Sequence, residues 1–175
     1  YYGKALLIDP YYRDALIGKG DVYFARKEYR GSLHYYELAA KYHPNHFQSF
    51  ASIAAANYEL AENEISMHYY EKAIALNPED LVSINNYANI FYDKRRLSEA
   101  KKLYLRALEI DSEFMTAHNN LGNLYILQRE FDEAYKHLSR ALEINYDDAS
   151  VHSNIANFYF EVKQVERAKY HLRKA

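Results

Sequence analysis

The chain contains no cysteine, only five glycines and three prolines, and no long apolar run. The absence of cysteine excludes disulfides, thiol catalysis and cysteine-ligated metal sites, and it fits a reducing compartment. With so few glycines and prolines, the sequence has no linker and no low-complexity stretch. No apolar run approaches the ~20 residues that a membrane helix needs, and no signal peptide is visible in these residues.

The chain also has little net charge, because its formal value is only −2. Bulk electrostatics therefore favours neither nucleic acid nor an anionic membrane. The basic residues near the C-terminus alternate with glutamates, as expected for ion pairs along a solvated helix face. We expect no nucleic-acid partner and no membrane insertion.

The dominant feature is a repeat of 34 residues that runs through the whole chain. Alanine recurs at this spacing at Ala5, Ala39, Ala73, Ala107, Ala141 and Ala175. A row of small residues keeps the same register at Gly20, Ala54, Ala88, Gly122 and Ala156. Such a period is typical of a helical repeat array, and an unbroken array favours one continuous domain.

Each repeat has the pattern of two helices. In one repeat, the first helix has apolar residues at i, i+3, i+4 and i+7, which are Ile84, Tyr87, Ala88 and Phe91. The second helix has one apolar face, formed by Ala100, Leu103, Tyr104, Ala107 and Leu108. The polar run 93–96 forms the turn between them, and Ser98 is expected to cap the second helix.

Phasing on this period predicts an all-α fold made of helix pairs. First helices are expected near 13–26, 47–60, 81–94, 115–128 and 149–162. Second helices are expected near 30–43, 64–77, 98–111, 132–145 and 166–175, and residues 1–9 form one more. The predicted domain is 1–175, with units 13–46, 47–80, 81–114, 115–148 and 149–175 and a partial unit 1–12. The chain starts and stops inside a repeat, so we expect a fragment of a longer protein.

The repeat resembles the tetratricopeptide repeat, or TPR, over essentially the whole chain. The residues that match its signature include Leu121, Gly122, Tyr125, Ala134 and Ala141, and in another repeat Gly20, Tyr23, Tyr36, Ala39 and Pro44. His118 and His152 depart from it, because that position often holds tryptophan. The resemblance implies a right-handed superhelical solenoid of antiparallel helix pairs, with about five repeats and a leading half-repeat.

The resemblance also implies a concave groove, lined by the first helices, that binds peptide segments. Asparagines concentrate on this face, at Asn85, Asn86, Asn89, Asn119, Asn120, Asn123, Asn154 and Asn157. Asparagine costs roughly 0.5 kcal/mol relative to alanine inside a helix, so helix propensity does not explain them. A carboxamide has a donor and an acceptor, so the row Asn86, Asn120 and Asn154 can pair with the backbone of an extended peptide. The row resembles the asparagine ladder of O-linked N-acetylglucosamine transferases. Alternatively, the asparagines cross-link neighbouring helices.

The character of the groove changes along the chain. The first repeats place small or apolar residues on this face, among them Ile17, Ala51 and Ala55. An inner aromatic row that includes Tyr58 and Tyr92 could supply hydrophobic pockets for the peptide. Acidic residues outnumber basic residues there, at Asp21, Glu59, Asp93 and Glu161. We therefore expect a neutral or basic extended segment rather than a bound carboxylate.

We find no catalytic motif and no residue pattern for a cofactor. The eight histidines lack the carboxylate clusters of a metal site and are interpreted as packing or surface residues. The predicted function is a non-catalytic scaffold for protein–protein interaction. Two alternatives remain open: a substrate-recruiting module of a larger enzyme such as a glycosyltransferase, and self-association through apolar ends formed by Tyr2, Ala5, Leu6 and 166–175.

Overall fold

The computed structural model describes residues 1–175 and contains eleven helices and no strands. The helices are α1 (Tyr2–Ile8), α2 (Arg13–Ala25), α3 (Tyr29–Tyr42), α4 (Phe47–Glu59), α5 (Asn63–Leu76), α6 (Leu81–Asp93), α7 (Leu97–Ile110), α8 (Met115–Gln128), α9 (Phe131–Ile144), α10 (Ala149–Glu161) and α11 (Val165–Leu172). The prediction of helix pairs is confirmed, and the largest difference in bounds is at the end of α11. None of the helices is both long and apolar enough to cross a membrane.

The chain divides into two compact units, Tyr1–Ile90 and Phe91–Ala175. We refer to them as the N-terminal unit and the C-terminal unit, and the boundary between them falls within α6. The expectation of a single domain over 1–175 stays a prediction.

In the N-terminal unit each helix packs on the next one from α1 to α5. The main core cluster is formed by Leu16, Ile17, Tyr36, Ala39, Ile53 and Ala56. The periodic alanines Ala39, Ala54 and Ala73 have no exposed surface, which allows neighbouring helices to approach closely. Gly20 serves the same purpose, because a Cβ atom there would lie 2.3 Å from the ring of Tyr36.

In the C-terminal unit, α8 packs on α9, α9 on α10 and α10 on α11, while α7 packs on α8. Its core contains large apolar side chains with at most 1% exposure, namely Leu121, Leu124, Leu138 and Val151. Ala107, Ala134 and Ala141 are completely buried between them. Buried small residues therefore set the helix spacing in both units.

The turn inside every repeat is closed by a left-handed residue. Positive φ angles of 60–62° recur at Lys27, Ala61, Arg95, Arg129 and Lys163. After each of them, a backbone N–H returns to the carbonyl five residues earlier, for example from Arg96 to Phe91 at 2.8 Å. This is the Schellman arrangement that ends many helices, although glycine usually occupies the left-handed position.

This turn corrects the predicted cap of α7. The helix starts at Leu97 with Arg96 as its N-cap, so Ser98 lies inside the first turn and caps nothing. The left-handed Arg95 lets the chain re-enter a helix immediately, which makes the turn shorter than the polar run suggests. Side-chain caps are found instead at Asp80, which accepts from the N–H of Ser83 at 3.1 Å, and at Asp148.

Candidate functional site

A cleft of about 360 Å³ lies between α4 and the start of α6 in the N-terminal unit. Its lining residues are Phe47, Gln48, Ala51, Ser52, Ala55, Tyr70, Asp80, Val82, Ser83 and Asn86. We call it the Ser83 cleft. The small side chains of α4 leave the space open, and Asp80 is its only charged lining residue. Ala51 and Ala55, two of the small residues expected on the groove face, are among its lining residues.

The asparagines of α6 lie at different depths. Asn86 is half-buried, lines the Ser83 cleft and hydrogen-bonds through its side chain to the phenol of Tyr70. Burial raises the pKa of that Tyr70 phenol, and the hydrogen bond from Asn86 opposes the rise. Asn85 is only 3% exposed, with its Nδ2 atom 3.5 Å from Oδ1 of Asn86. Asn89 is half-buried.

A second cleft, of about 340 Å³, lies in the C-terminal unit. It is lined by Tyr92, Arg95, Asn123, Ile126, Leu127, Arg129, Asn157 and Glu161, and we call it the Tyr92 cleft. The structure thus brings together three of the predicted site residues: Tyr92, Asn123 and Asn157. Burial raises the pKa of Tyr92, while the nearby Arg95 lowers it. The Arg129 guanidinium lies 4.0 Å from the Glu161 carboxylate.

Two other predicted asparagines bind each other across neighbouring helices. Nδ2 of Asn154 on α10 donates to Oδ1 of Asn119 on α8 at 3.0 Å, and Nδ2 of Asn119 donates to Oγ of Ser150 at 3.3 Å. Asn119 is only 6% exposed. This chain of bonds supports the structural alternative for the pair, since it joins α8 to α10. Asn120 is half-buried beside them on α8.

Tyr58, the remaining predicted residue, is half-buried and packs against the cluster of Ala54, Tyr70 and Ile90. Two of the acidic residues predicted on the groove face accept hydrogen bonds from tyrosines. Asp21 accepts from the hydroxyl of Tyr36 at 2.8 Å, and Glu59 accepts from the hydroxyl of Tyr29 at 3.0 Å.

Sequence reasoning missed Tyr70, Asp80 and Ser83 in the first cleft and Arg95 and Arg129 in the second. A signal for Ser83 exists, because the same repeat position holds Ser49 one repeat earlier but Ala117 and Val151 later. A serine at a position that is apolar in later repeats indicates that these two repeats differ locally from the later ones. Arg95 was predicted only as part of the polar run 93–96. Both arginines have a left-handed backbone at the end of a helix that lines the cleft.

The histidines form pairs rather than clusters. Nδ1 of His118 lies 2.9 Å from Nδ1 of His137, and Nδ1 of His152 lies 2.8 Å from Nδ1 of His171. No group of three or more histidine or acidic side chains has a geometry that could hold a metal ion. Of the predicted apolar ends, Tyr2, Tyr170 and Leu172 are exposed, while Ala5 and Leu6 are half-buried. Self-association through these ends stays a prediction.

Helix pairs that pack through buried small residues define a helical repeat protein. Models of the tetratricopeptide repeat match residues 47–80 and 116–145, and a TPR repeat model matches residues 88–129. The chain belongs to the tetratricopeptide repeat family. This fold is typically a non-catalytic module, and its repeats support a scaffold for protein–protein interaction.

Several solved structures are similar to the chain. They include PilF of Pseudomonas aeruginosa, with a TM-score of 0.82, 22% identity and coverage of 93% of this chain and 74% of that one. The APC/C hetero-tetramer Cut9–Hcn1 gives a TM-score of 0.90 and 22% identity, with coverage of 99% of this chain and 35% of that one. TTC0263, a thermophilic TPR protein of Thermus thermophilus, gives 0.83 and 20%, with coverage of 93% and 89%. At these identities the similarity establishes the all-helical TPR solenoid fold alone. No curated protein matches the chain.

Proposed function

We propose that the chain binds an extended peptide segment of a partner protein along the inner faces of its first helices, through asparagine side chains, and that it performs no catalysis. The observation that carries the proposal is the Tyr92 cleft, where Asn123 of α8 and Asn157 of α10 line one open space together. Their carboxamides come from equivalent positions of successive repeats.

The spacing of the two helices suits an extended chain. Helices that pack directly lie about 8–10 Å apart, and α10 packs on α8 in this unit. An extended peptide advances about 3.3 Å per residue, so it covers this distance in three residues. Each carboxamide can donate to a peptide carbonyl and accept from a peptide N–H. We therefore expect Asn123 and Asn157 to hold backbone groups about three residues apart.

The asparagines divide into two roles under this proposal. Asn119 and Asn154 hold α8 against α10 through their mutual hydrogen bond. Asn120, Asn123 and Asn157 in the C-terminal unit, and Asn86 in the N-terminal unit, contact the peptide. A rigid arrangement of these side chains lowers the ordering cost of binding, so the structural bonds support the binding residues.

Charge on the inner face selects the peptide. In the Tyr92 cleft, Glu161 offsets only one of the two charges of Arg95 and Arg129, so this cleft suits a neutral segment and does not select a basic one. In the N-terminal unit, Asp21, Glu59 and Asp80 supply negative charge to the inner face and favour a neutral or basic segment. An acidic segment suits the N-terminal unit poorly.

A phage-displayed library of random 12-residue peptides, selected on the full chain, tests the proposal. Selected peptides are expected to bind the triple variant Asn120→Ala, Asn123→Ala, Asn157→Ala at least about tenfold more weakly, since several backbone hydrogen bonds are lost together. The matched control is Asn45→Ala with Asn63→Ala, two asparagines that line neither cleft, and binding should be unchanged.

Two results would overturn the proposal. Peptides that bind the triple variant as tightly as the parent chain show that the asparagines are not the contacts. If no peptide is selected although the chain used for selection is helical and folded, then the inner face does not bind extended segments.

A further inference from the structure

The Ser83 cleft contains a buried hydroxyl without a hydrogen-bond partner. Ser83 has no exposed surface, and its Oγ atom makes no hydrogen bond, although it lines the cleft. An unsatisfied buried polar group costs about 1–3 kcal/mol, and native proteins contain few of them. An unpaired hydroxyl on a residue that lines a cleft is a candidate contact for a ligand.

The preceding repeat shows how this position is satisfied without a ligand. Ser49 occupies the equivalent place and is also fully buried, but its Oγ lies 3.0 Å from Nδ1 of His46. In the next repeat Asp80 stands where His46 stands, and Oδ2 of Asp80 accepts from the backbone N–H of Ser83 at 3.1 Å. The exchange of histidine for aspartate removes the internal partner of the serine hydroxyl and places a carboxylate at the cleft.

The cleft therefore combines one negative charge with hydrogen-bond acceptors and apolar walls. Asp80 is the only charged group in the lining, and no lysine or arginine lines it. Oγ of Ser83 and the carboxamide of Asn86 add acceptors near the carboxylate. Phe47 and Val82, with Ala51 and Ala55, supply the apolar surface along which a long aliphatic stem can pack.

We propose that the Ser83 cleft is an anchor site for an arginine side chain of the bound segment. The guanidinium pairs with Asp80 and donates to Oγ of Ser83, while the arginine stem lies against Phe47 and Val82. Arginine suits the site better than lysine, because its planar fork donates to two acceptors at once. The proposal names a side-chain preference within the proposed peptide-binding function and rests on that function.

The experiment uses a test ligand too small to need the asparagine row, so that the two proposals fail separately. N-acetyl-arginine N-methylamide is titrated into the full chain and followed by the amide NMR signals of α4 and of the start of α6. The citrulline and glutamate analogues serve as uncharged and acidic comparisons. We expect saturable shifts with the arginine compound and at least about tenfold weaker binding of the other two, as charge pairing requires.

Two variants identify the groups responsible. Asp80→Asn keeps a good N-cap residue for α6 but removes the charge, and it should weaken arginine binding at least about fivefold while the citrulline analogue is unaffected. Ser83→Ala should also weaken arginine binding. Equal binding of the arginine and citrulline analogues, or no shifts at α4 and α6 with the arginine compound, overturns the anchor site. Loss of peptide binding in the triple asparagine variant remains a separate test of the proposed function.

Discussion

Nδ1 of His118 lies 2.9 Å from Nδ1 of His137, close enough that one nitrogen must donate a proton and the other must accept it. The contact therefore requires at least one neutral imidazole. The next repeat has the same geometry between His152 and His171. His118 and His152 stand at the position where the repeat signature often has tryptophan. Helix packing in the last two repeats therefore depends on the protonation state of the two histidine pairs.

The free energy of unfolding should fall as the pH falls through the histidine range. Burial, and then the nearby His118, lowers the pKa of His137 from 6.5 to about 4, with further lowering by Lys136 and Lys101 and an opposing effect of Glu133. Burial lowers the pKa of His171 as well. As the pH falls, the histidines of the unfolded chain take up protons before those of the folded chain. The stability contributed by the neutral, buried histidine is therefore complete above about pH 6.5 and disappears as the pH approaches about 4.

Urea unfolding at pH 7.5 and pH 5.0 measures this effect, which we expect to be on the order of 1–2 kcal/mol. The matched variant is His118→Ile with His137→Leu, the residues that stand at these positions one repeat earlier as Ile84 and Leu103. It should lose much of the pH dependence. An unchanged difference between the two pH values in this variant contradicts a role for the pair.

Replacing a left-handed residue by glycine should stabilise the protein. Ala61 has a φ angle of 60° and is exposed, so its Cβ atom is strained without any compensating contact in the core. Ala61→Gly should raise the free energy of unfolding by about 1 kcal/mol, the usual cost of the left-handed conformation. Ala75→Gly, at an exposed helical alanine in α5, should lower it by up to about 1 kcal/mol. If both variants change the free energy of unfolding in the same direction, Ala61 is not strained as proposed.

The 34-residue period predicted the helix pairs well because small buried residues such as Ala39 and Gly20 set both the spacing and the phase of the helices. It did not predict the left-handed turns, because none of the five positions holds glycine, the residue that normally marks them. Conformation at Ala61 and Arg95 is imposed by the Schellman hydrogen bonds of the surrounding helices rather than by local preference.

The candidate site was predictable only to the level of a face. Asparagine periodicity placed Asn119, Asn123, Asn154 and Asn157 on the first helices, yet the structure pairs Asn119 with Asn154, whose numbers differ by 35 rather than by the repeat length. Whether two such side chains meet depends on the rotation of one helix against the next, which spacing alone does not contain. Likewise, the unpaired hydroxyl of Ser83 depends on the side chain of Asp80 turning to a backbone N–H.

Substitution of a structural asparagine should cost more stability than substitution of a peptide-binding asparagine. Asn154→Ala removes the donor to Oδ1 of the buried Asn119 and should lower the free energy of unfolding by about 1 kcal/mol. Asn157→Ala changes an exposed residue, and alanine is the better helix former, so stability should stay within about 0.5 kcal/mol of the parent chain.

Peptide binding is expected to respond in the opposite order, with the larger loss in Asn157→Ala. Thermal unfolding and the affinity for a selected 12-residue peptide are measured on the same preparations of the two variants. The first tests the expected order of stability and the second tests the expected order of binding. A larger stability loss in Asn157→Ala than in Asn154→Ala would remove the distinction between structural and binding asparagines.

The buried serines Ser66 and Ser83 should also differ in their effect on stability. Ser66 is fully buried, and its Oγ donates to the carbonyl of Ala54 at 2.7 Å, whereas the equally buried Oγ of Ser83 has no partner. Ser66→Ala loses a hydrogen bond and should cost about 1 kcal/mol of stability. Ser83→Ala removes an unsatisfied hydroxyl at no loss of bonding, so the free chain should be as stable as the parent or more stable. Urea unfolding of both variants compares them directly. If Ser83→Ala destabilises the free chain as much as Ser66→Ala does, then the Ser83 hydroxyl is satisfied within the protein, and the open acceptor assigned to the cleft does not exist.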